Sequence, residues 1–183
     1  MTGLPQIRWY ETLDSTNSEA RRLLSGLDNL SVIVADRQTA GRGQGDHVWT
    51  SAPGENLTFT LVLKYSSDHG LKASDAAVIN AAFGRAMTEF LSSYGIEAWM
   101  KLPNDIWVGD RKICGILIEN ILKGKDIAVT LLGIGLNVNQ TQFPEFLPNP
   151  VSMAQLTGRK YPLEATLKRL LEALLSQFAD YLP

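Results

Sequence analysis

Hydrophobic and polar positions along this chain follow two periods, and the switches between them mark out its elements. From Ser74 to Tyr94 apolar residues return at helical spacing as Ala77, Val78, Ala81, Ala82, Met87, Phe90 and Leu91, with Gly95 placed to end the helix. Pro162 to Leu182 repeats that pattern, with Leu167, Leu170, Leu171, Leu174, Leu175 and Phe178 facing inward. Asn56 to Lys64 instead alternates β-formers, and Leu30 to Arg37 reads as a strand, as does a short run from Ile7 to Thr12. Glu97 to Leu102, Ile106 to Val108, Lys112 to Leu122 and Ile127 to Val138 follow as strands, joined in part by the turns Gly109-Asp110 and Lys123 to Asp126. Asp14 to Glu19 supplies several N-cap residues ahead of a helical run from Ala20 to Leu24, and Ser152 to Leu156 makes one helical turn. Strands outnumber helices and come in neighbouring runs. The pattern therefore predicts an α+β fold: a mixed, largely antiparallel sheet backed on one face by helices.

Composition narrows the class. A chain of 183 residues, 45% hydrophobic, is enough for one packed core. Seventeen Lys and Arg against nineteen Asp and Glu leave a net charge of −2, without the basic excess of a protein that holds nucleic acid mainly through phosphates. DNA is not an expected partner. No apolar stretch approaches the roughly 20 residues that span a bilayer, and Met1 to Trp9 has no long apolar core of a leader, so no membrane partner and a cytoplasmic location are expected. The single cysteine, Cys114, lies inside an apolar run, which excludes an internal disulfide and a cysteine metal cluster and predicts a buried thiol.

Candidate chemistry begins in the polar stretch Thr39 to His47, where Gly41, Gly43 and Gly45 alternate and Arg42 adds a fixed charge. Glycines so spaced free the backbone to turn N–H groups toward an anion, although a mobile surface loop reads the same way. Lys101-Leu102-Pro103-Asn104-Asp105 places an ammonium, an amide and a carboxylate at a strand end that Pro103 turns. Lys112 opens the next apolar strand, interrupted by Gly115; a hairpin would return Lys112 to Asn104 and Asp105 and gather two lysines and a carboxylate as a polyanion site. Gly133 to Asn139 adds two amides at a third glycine-marked strand end, where a bulge and turn would serve equally.

In order and spacing these stretches resemble the catalytic core of the biotin–protein ligases over nearly the whole chain. Asp14-Ser15-Thr16-Asn17 is similar to that family's opening signature, Gln38 with Gly41-Arg42-Gly43 and Trp49 to its ligand loop, and Lys101 to Asp105 to its Lys-Trp-Pro-Asn-Asp motif. Lys112 with Gly115-Ile116-Leu117, and Gly135-Leu136-Asn137-Val138, complete the set.

The resemblance implies a sheet related to class II tRNA synthetases, ATP and Mg²⁺ as cofactors, and a two-step reaction. Biotin is activated to biotinyl-5′-AMP, then transferred to a lysine of a biotin carboxyl-carrier protein domain. By the same carry-over Ser15, Thr16, Asn17 and Gln38 hold biotin's ureido end, and Gly41, Gly43, Gln44 and Gly115 belong to the same binding set. Arg42, Lys101 and Lys112 offset the repulsion between a carboxylate and a triphosphate. Trp49, Asn104 and Asn137 join them around the nucleotide, with Asp105 as the Mg²⁺ carboxylate.

Two departures stand out. Gln44, Gly45, Asp46 and His47 occupy loop positions where the family usually carries further arginines, and Leu102 replaces the motif tryptophan. The resemblance further predicts one catalytic domain over residues 1–183, with neither an N-terminal DNA-binding domain nor the small β-barrel that often follows. A lipoate or octanoate ligase, and a biotin-binding module without transfer activity, remain alternatives; the carrier and the oligomeric state are left open.

Overall fold

The computed structural model describes residues 5–65 and 71–179. The strand-forming runs become one sheet of β1 (Ile7–Leu13), β2 (Val32–Gln38), β3 (Leu57–Lys64), β4 (Trp99–Lys101), β5 (Asp105–Val108), β6 (Arg111–Lys123) and β7 (Asp126–Leu136), in the order β1-β2-β3-β7-β6-β5-β4. β1 and β2 are parallel and every other neighbouring pair is antiparallel. A parallel pair needs a crossover, which α1 (Thr16–Leu23) supplies. The hairpins turn at Gly109 and Gly124, whose φ values of 59° and 66° suit glycine.

Period two along the strands sorts their side chains onto two faces. Val32, Val34, Phe59, Leu61, Leu63, Leu132, Ile134 and Ile116 pack against α2 (Ala77–Ser92) and α4 (Leu163–Phe178), through Phe83, Met87, Leu91, Leu167, Leu170 and Leu174. Cys114 belongs to this core, and burial pushes its thiol pKa upward, out of the range of a nucleophile. The other face carries a smaller cluster of Ala20, Leu27, Ile33, Val62 and Leu131. Helices thus back one face as expected, and α1 covers part of the other. With α1 on that side, β3 is buried along Leu57 to Leu63.

Boundaries shift in ways that packing explains. α1 begins at Thr16, ahead of the expected Ala20, because the Thr16 N–H, orphaned at a helix start, donates to Gln38 Oε1 at the end of β2. The inner face of α2 carries the expected Ala82, Met87, Phe90 and Leu91 together with Ile79, Phe83 and Ala86, while Ala77 and Ala81 are exposed. The large residues at Ile79 and Phe83 win the core and turn Ala77 and Ala81 outward. α3 (Met153–Thr157) has a full capping box from Ser152 and Gln155, with Gly158 left-handed at its end. α4 buries the expected leucines, Leu175 only partly, and the reading as far as Leu182 falls outside the described residues. No helix among the described residues is long and apolar enough to cross a membrane.

Phe59 is fully buried at the centre of the larger core. Phe59→Ala is expected to cost about 3–5 kcal/mol, read as a lower urea midpoint with an unchanged m-value.

Candidate functional site

On the sheet face that α1 partly covers, a cavity of about 400 Å³ opens above β6 and β7. Its floor is possible because that face of the strands carries glycine. Gly115 pairs directly with Gly135, and Gly133 pairs with Leu117. A Cβ at Gly133 would strike the Asn17 amide, and one at Gly135 would strike the Trp49 indole. One at Gly115 would lie 3.2 Å from both Lys112 Cε and Trp49 Cζ3. β7 runs through Gly133 and Gly135 in regular register, so these glycines admit side chains from elsewhere; the expected bulge and turn is not what they serve.

One end of the cavity is a hydrogen-bond network. Gln38 Oε1 accepts from the Thr16 N–H at 2.8 Å and from the Thr16 hydroxyl at 3.2 Å. A backbone N–H can only meet an oxygen, so the Gln38 Nε2 donors point elsewhere, and they make no hydrogen bond among the described residues. Asn17 is fixed in the same way: Thr60 Oγ1 donates to its Oδ1, and its Nδ2 donates to Glu119 Oε2 at 2.9 Å and to the Leu117 carbonyl at 3.4 Å. Both Asn17 donors are therefore used, and its oxygen keeps a lone pair. This end offers a ligand amide donors from Gln38 and an acceptor from Asn17.

The other end is charged. The β5–β6 hairpin returns Lys112 to Asp105, with Nζ 2.7 Å from Oδ1, and the same ammonium stands 5.7 Å from the centre of the Trp49 ring. Asn104 anchors the turn, its carbonyl accepting from the Ile116 N–H at 2.9 Å. Asn137 lines the cavity while its Nδ2 donates to the Val151 carbonyl at 3.1 Å, tying the following segment down beside Lys112. Ser15, Arg42, Gly43, Gln44 and Trp49 line it too.

Two predicted members stand apart. Gly41 does not line the cavity; its missing Cβ lets the Trp49 carbonyl close over it. Lys101 also lies outside the lining, its Nζ 3.9 Å from the centre of the Trp107 ring, so only one of the two predicted lysines reaches the carboxylate. Trp107 faces the cavity instead, at an irregularity between Ile106 and Trp107 where β5 loses register with β6. The loop also departs from an N–H cradle. It folds as a small hairpin in which the Gly43 N–H donates to the His47 carbonyl at 2.7 Å and the Trp49 N–H to the Gly41 carbonyl at 3.1 Å. It therefore presents side chains to the cavity. Arg42 is held by Glu119, with Nη1 at 3.3 Å and Nη2 at 3.2 Å.

Thr60, Trp107 and Glu119 escaped the sequence reading. The alternation on β3 and β6 marks Thr60 and Glu119 as facing away from the main core, and on β5 the same alternation puts Trp107 on the face of Asp105, with buried Ile106 between them. Asp105 is a single carboxylate, and among the described residues no group of His, Cys, Asp or Glu could hold a metal by itself. That donor set suits an Mg²⁺ ion that arrives on a triphosphate and takes most of its ligands from phosphate and water.

The biotin/lipoate A/B protein ligase family model matches residues 9–137. The chain belongs to this family. It is 30% identical over 178 residues to the bifunctional ligase/repressor BirA of Bacillus subtilis, covering 95% of this chain and 54% of that one. To the biotin–(acetyl-CoA-carboxylase) ligase of Paracoccus denitrificans it is 31% identical over 125 residues, covering 68% and 51%. The chain thus spans about half the length of these curated relatives. The biotin protein ligase of Aquifex aeolicus solved with biotin and ATP superposes with a TM-score of 0.82 at 24% identity, over 97% of this chain and 72% of that one. A Helicobacter pylori biotin acetyl coenzyme A carboxylase synthetase solved with bound biotinylated ATP gives 0.64 at 26% identity, over 96% and 80%. The fold is that of the family, with its sheet of the class II tRNA-synthetase type.

Gly133→Ala is expected to cost about 1–3 kcal/mol in urea unfolding and to move the Asn17 side-chain amide resonances, since the new methyl has no room. Gly26→Ala, with nothing within 4 Å of the added carbon, is expected to change stability by less than about 0.5 kcal/mol.

Proposed function

We propose that residues 1–183 act as a catalytic domain that activates biotin with ATP as biotinyl-5′-AMP and passes biotin to a lysine of a biotin carboxyl-carrier domain. The observation that carries this reading is the donor–acceptor pair at the hydrogen-bonding end of the cavity. A ureido ring offers a carbonyl to the Gln38 amide and an N–H to the Asn17 oxygen. An octanoyl chain or a dithiolane offers neither and would leave the Gln38 amide donors unpaired, at about 1–3 kcal/mol. That cost disfavours lipoate and octanoate in this member of the family, and Ser15 and Thr16 complete the polar wall.

At the charged end the chemistry is the attack of a biotin carboxylate oxygen on the α-phosphorus of ATP, with pyrophosphate leaving. The approach sets negative charge against negative charge, and Lys112, 2.7 Å from Asp105 and on the cavity wall, is the cation placed to offset it. Trp49 presents a broad apolar surface for the adenine, with its indole N–H buried and unpaired among the described residues. Asn104 and Asn137 flank the phosphates and ribose. Asp105 would supply one carboxylate to an Mg²⁺ ion bound with ATP, which screens phosphate charge. In the second step the neutral amine of the carrier lysine attacks the acyl carbon and AMP leaves. Lys101, behind Trp107, supports that ring rather than the phosphates.

ATP–pyrophosphate exchange measured with biotin, lipoate and octanoate in turn is expected to respond to biotin alone, and transfer to a purified carrier domain is expected to follow. Exchange with lipoate instead would overturn the reading, and biotin binding without exchange would leave a binding module. Lys112→Ala is expected to lower exchange by about 100-fold or more at unchanged thermal stability. With Arg42 as the loop's only arginine, biotinyl-5′-AMP is expected to dissociate faster from this chain than from a relative with an arginine-rich loop; a dissociation time course checks this.

A further inference from the structure

Glu119 lies on β6 two residues beyond Leu117, on the face of the sheet that carries the cavity. Its carboxylate gathers three partners, two from α1 and one from the loop: Asn17 Nδ2 at 2.9 Å, Arg21 Nη2 at 3.4 Å, and Arg42 at 3.2 and 3.3 Å. The spread of distances matters. The Asn17 bond has ordinary length, whereas both arginine contacts are longer than the roughly 2.7–2.9 Å of a strong charge-assisted bond. Arg42 is also 47% exposed at its side chain against 18% for Glu119, so its release costs little desolvation. Arg21 stays behind on α1, so the carboxylate is not left unpaired when Arg42 departs.

Resting on the biotin reading above, we propose that Glu119 is a positioning residue that acts through Asn17 and Arg42. It orients the Asn17 amide toward the ligand's polar ring, and it stands in for the ligand's anionic group by holding Arg42 beside the cavity. Arg42 passes from the Glu119 carboxylate to the carboxylate or phosphate of the ligand, and the loop follows. Ligand anion and Glu119 compete for one guanidinium, so the site discriminates acid from neutral ligand by less than it would without Glu119.

Glu119→Gln tests this, because an amide oxygen still accepts from Asn17 while the charge is gone. Without ligand, tryptic cleavage after Arg42, followed by the mass of the 1–42 fragment, is expected to run several-fold faster in E119Q than in the wild type. By calorimetry E119Q is expected to bind biotin about two- to fivefold tighter and to bind biotinamide as the wild type does, the size of one half-exposed ion pair. In the Arg42→Ala background E119Q is expected to change neither affinity. Unchanged cleavage, equal loss of affinity for biotin and biotinamide, or an effect that persists without Arg42 would overturn the proposal. The two readings fail separately: a wild-type chain that binds no biotin overturns the ligand assignment, and the exchange with it. Normal binding that E119Q leaves unaltered overturns the exchange alone.

Discussion

The antiparallel register of β3, β7 and β6 is the constraint on which the rest of this structure depends. With a side-chain period of two, register decides which residues enter the core and which face the cavity, and a slip of one would exchange the two sets. In the register observed, Phe59, Ile134 and Ile116 lie together beneath α2 and α4. The same pairing puts Gly115 against Gly135 and leaves Thr60, Gly133 and Glu119 on the opposite face. The core and the ligand floor are two sides of one hydrogen-bonded ladder, and neither can be rearranged alone.

What stands on that floor comes from outside the ladder. Asn17 arrives from α1, Trp49 from the loop and Lys112 from the start of β6, each admitted by a glycine that leaves room. The arrangement separates neutral hydrogen bonding at one end from charge at the other. The neutral end is made of amides whose orientation the backbone dictates, through the Thr16 N–H and the Leu117 carbonyl. The charged end is built from longer side chains on ion pairs, Lys112 with Asp105 and Arg42 with Glu119.

The sheet, its hairpins and the two long helices were legible because period and turn chemistry are local. So was the approach of Lys112 to Asp105, which the β5–β6 hairpin brings about as a diagonal contact across the two strands. Lys101 was misjudged for a physical reason: it is close to Asp105 in sequence and directly opposite it in register, yet an indole ring lies beneath its ammonium. The inner face of α2 was legible in part: Ala82, Met87, Phe90 and Leu91 are buried as expected, but small and large apolar residues score alike in a periodic pattern, whereas the core takes Ile79 and Phe83 and leaves Ala77 and Ala81 exposed. The glycine spacing of the loop suits an anion cradle and a surface loop equally, and the fold makes it a small hairpin that the N–H groups of Gly43 and Trp49 close.

By itself, then, the sequence determined the α+β class, the family and the residue types from which the site is made, since motif order, strand period and turn residues are all written along the chain. Tertiary structure alone decided which of those residues share a cavity, and it brought in Thr60, Trp107 and Glu119, which no motif announces. The reason is distance: Asn17 meets Glu119, and Arg42 meets the same carboxylate, across separations of 102 and 77 residues. Only the packing of α1 and the loop onto one face of a registered sheet closes those gaps.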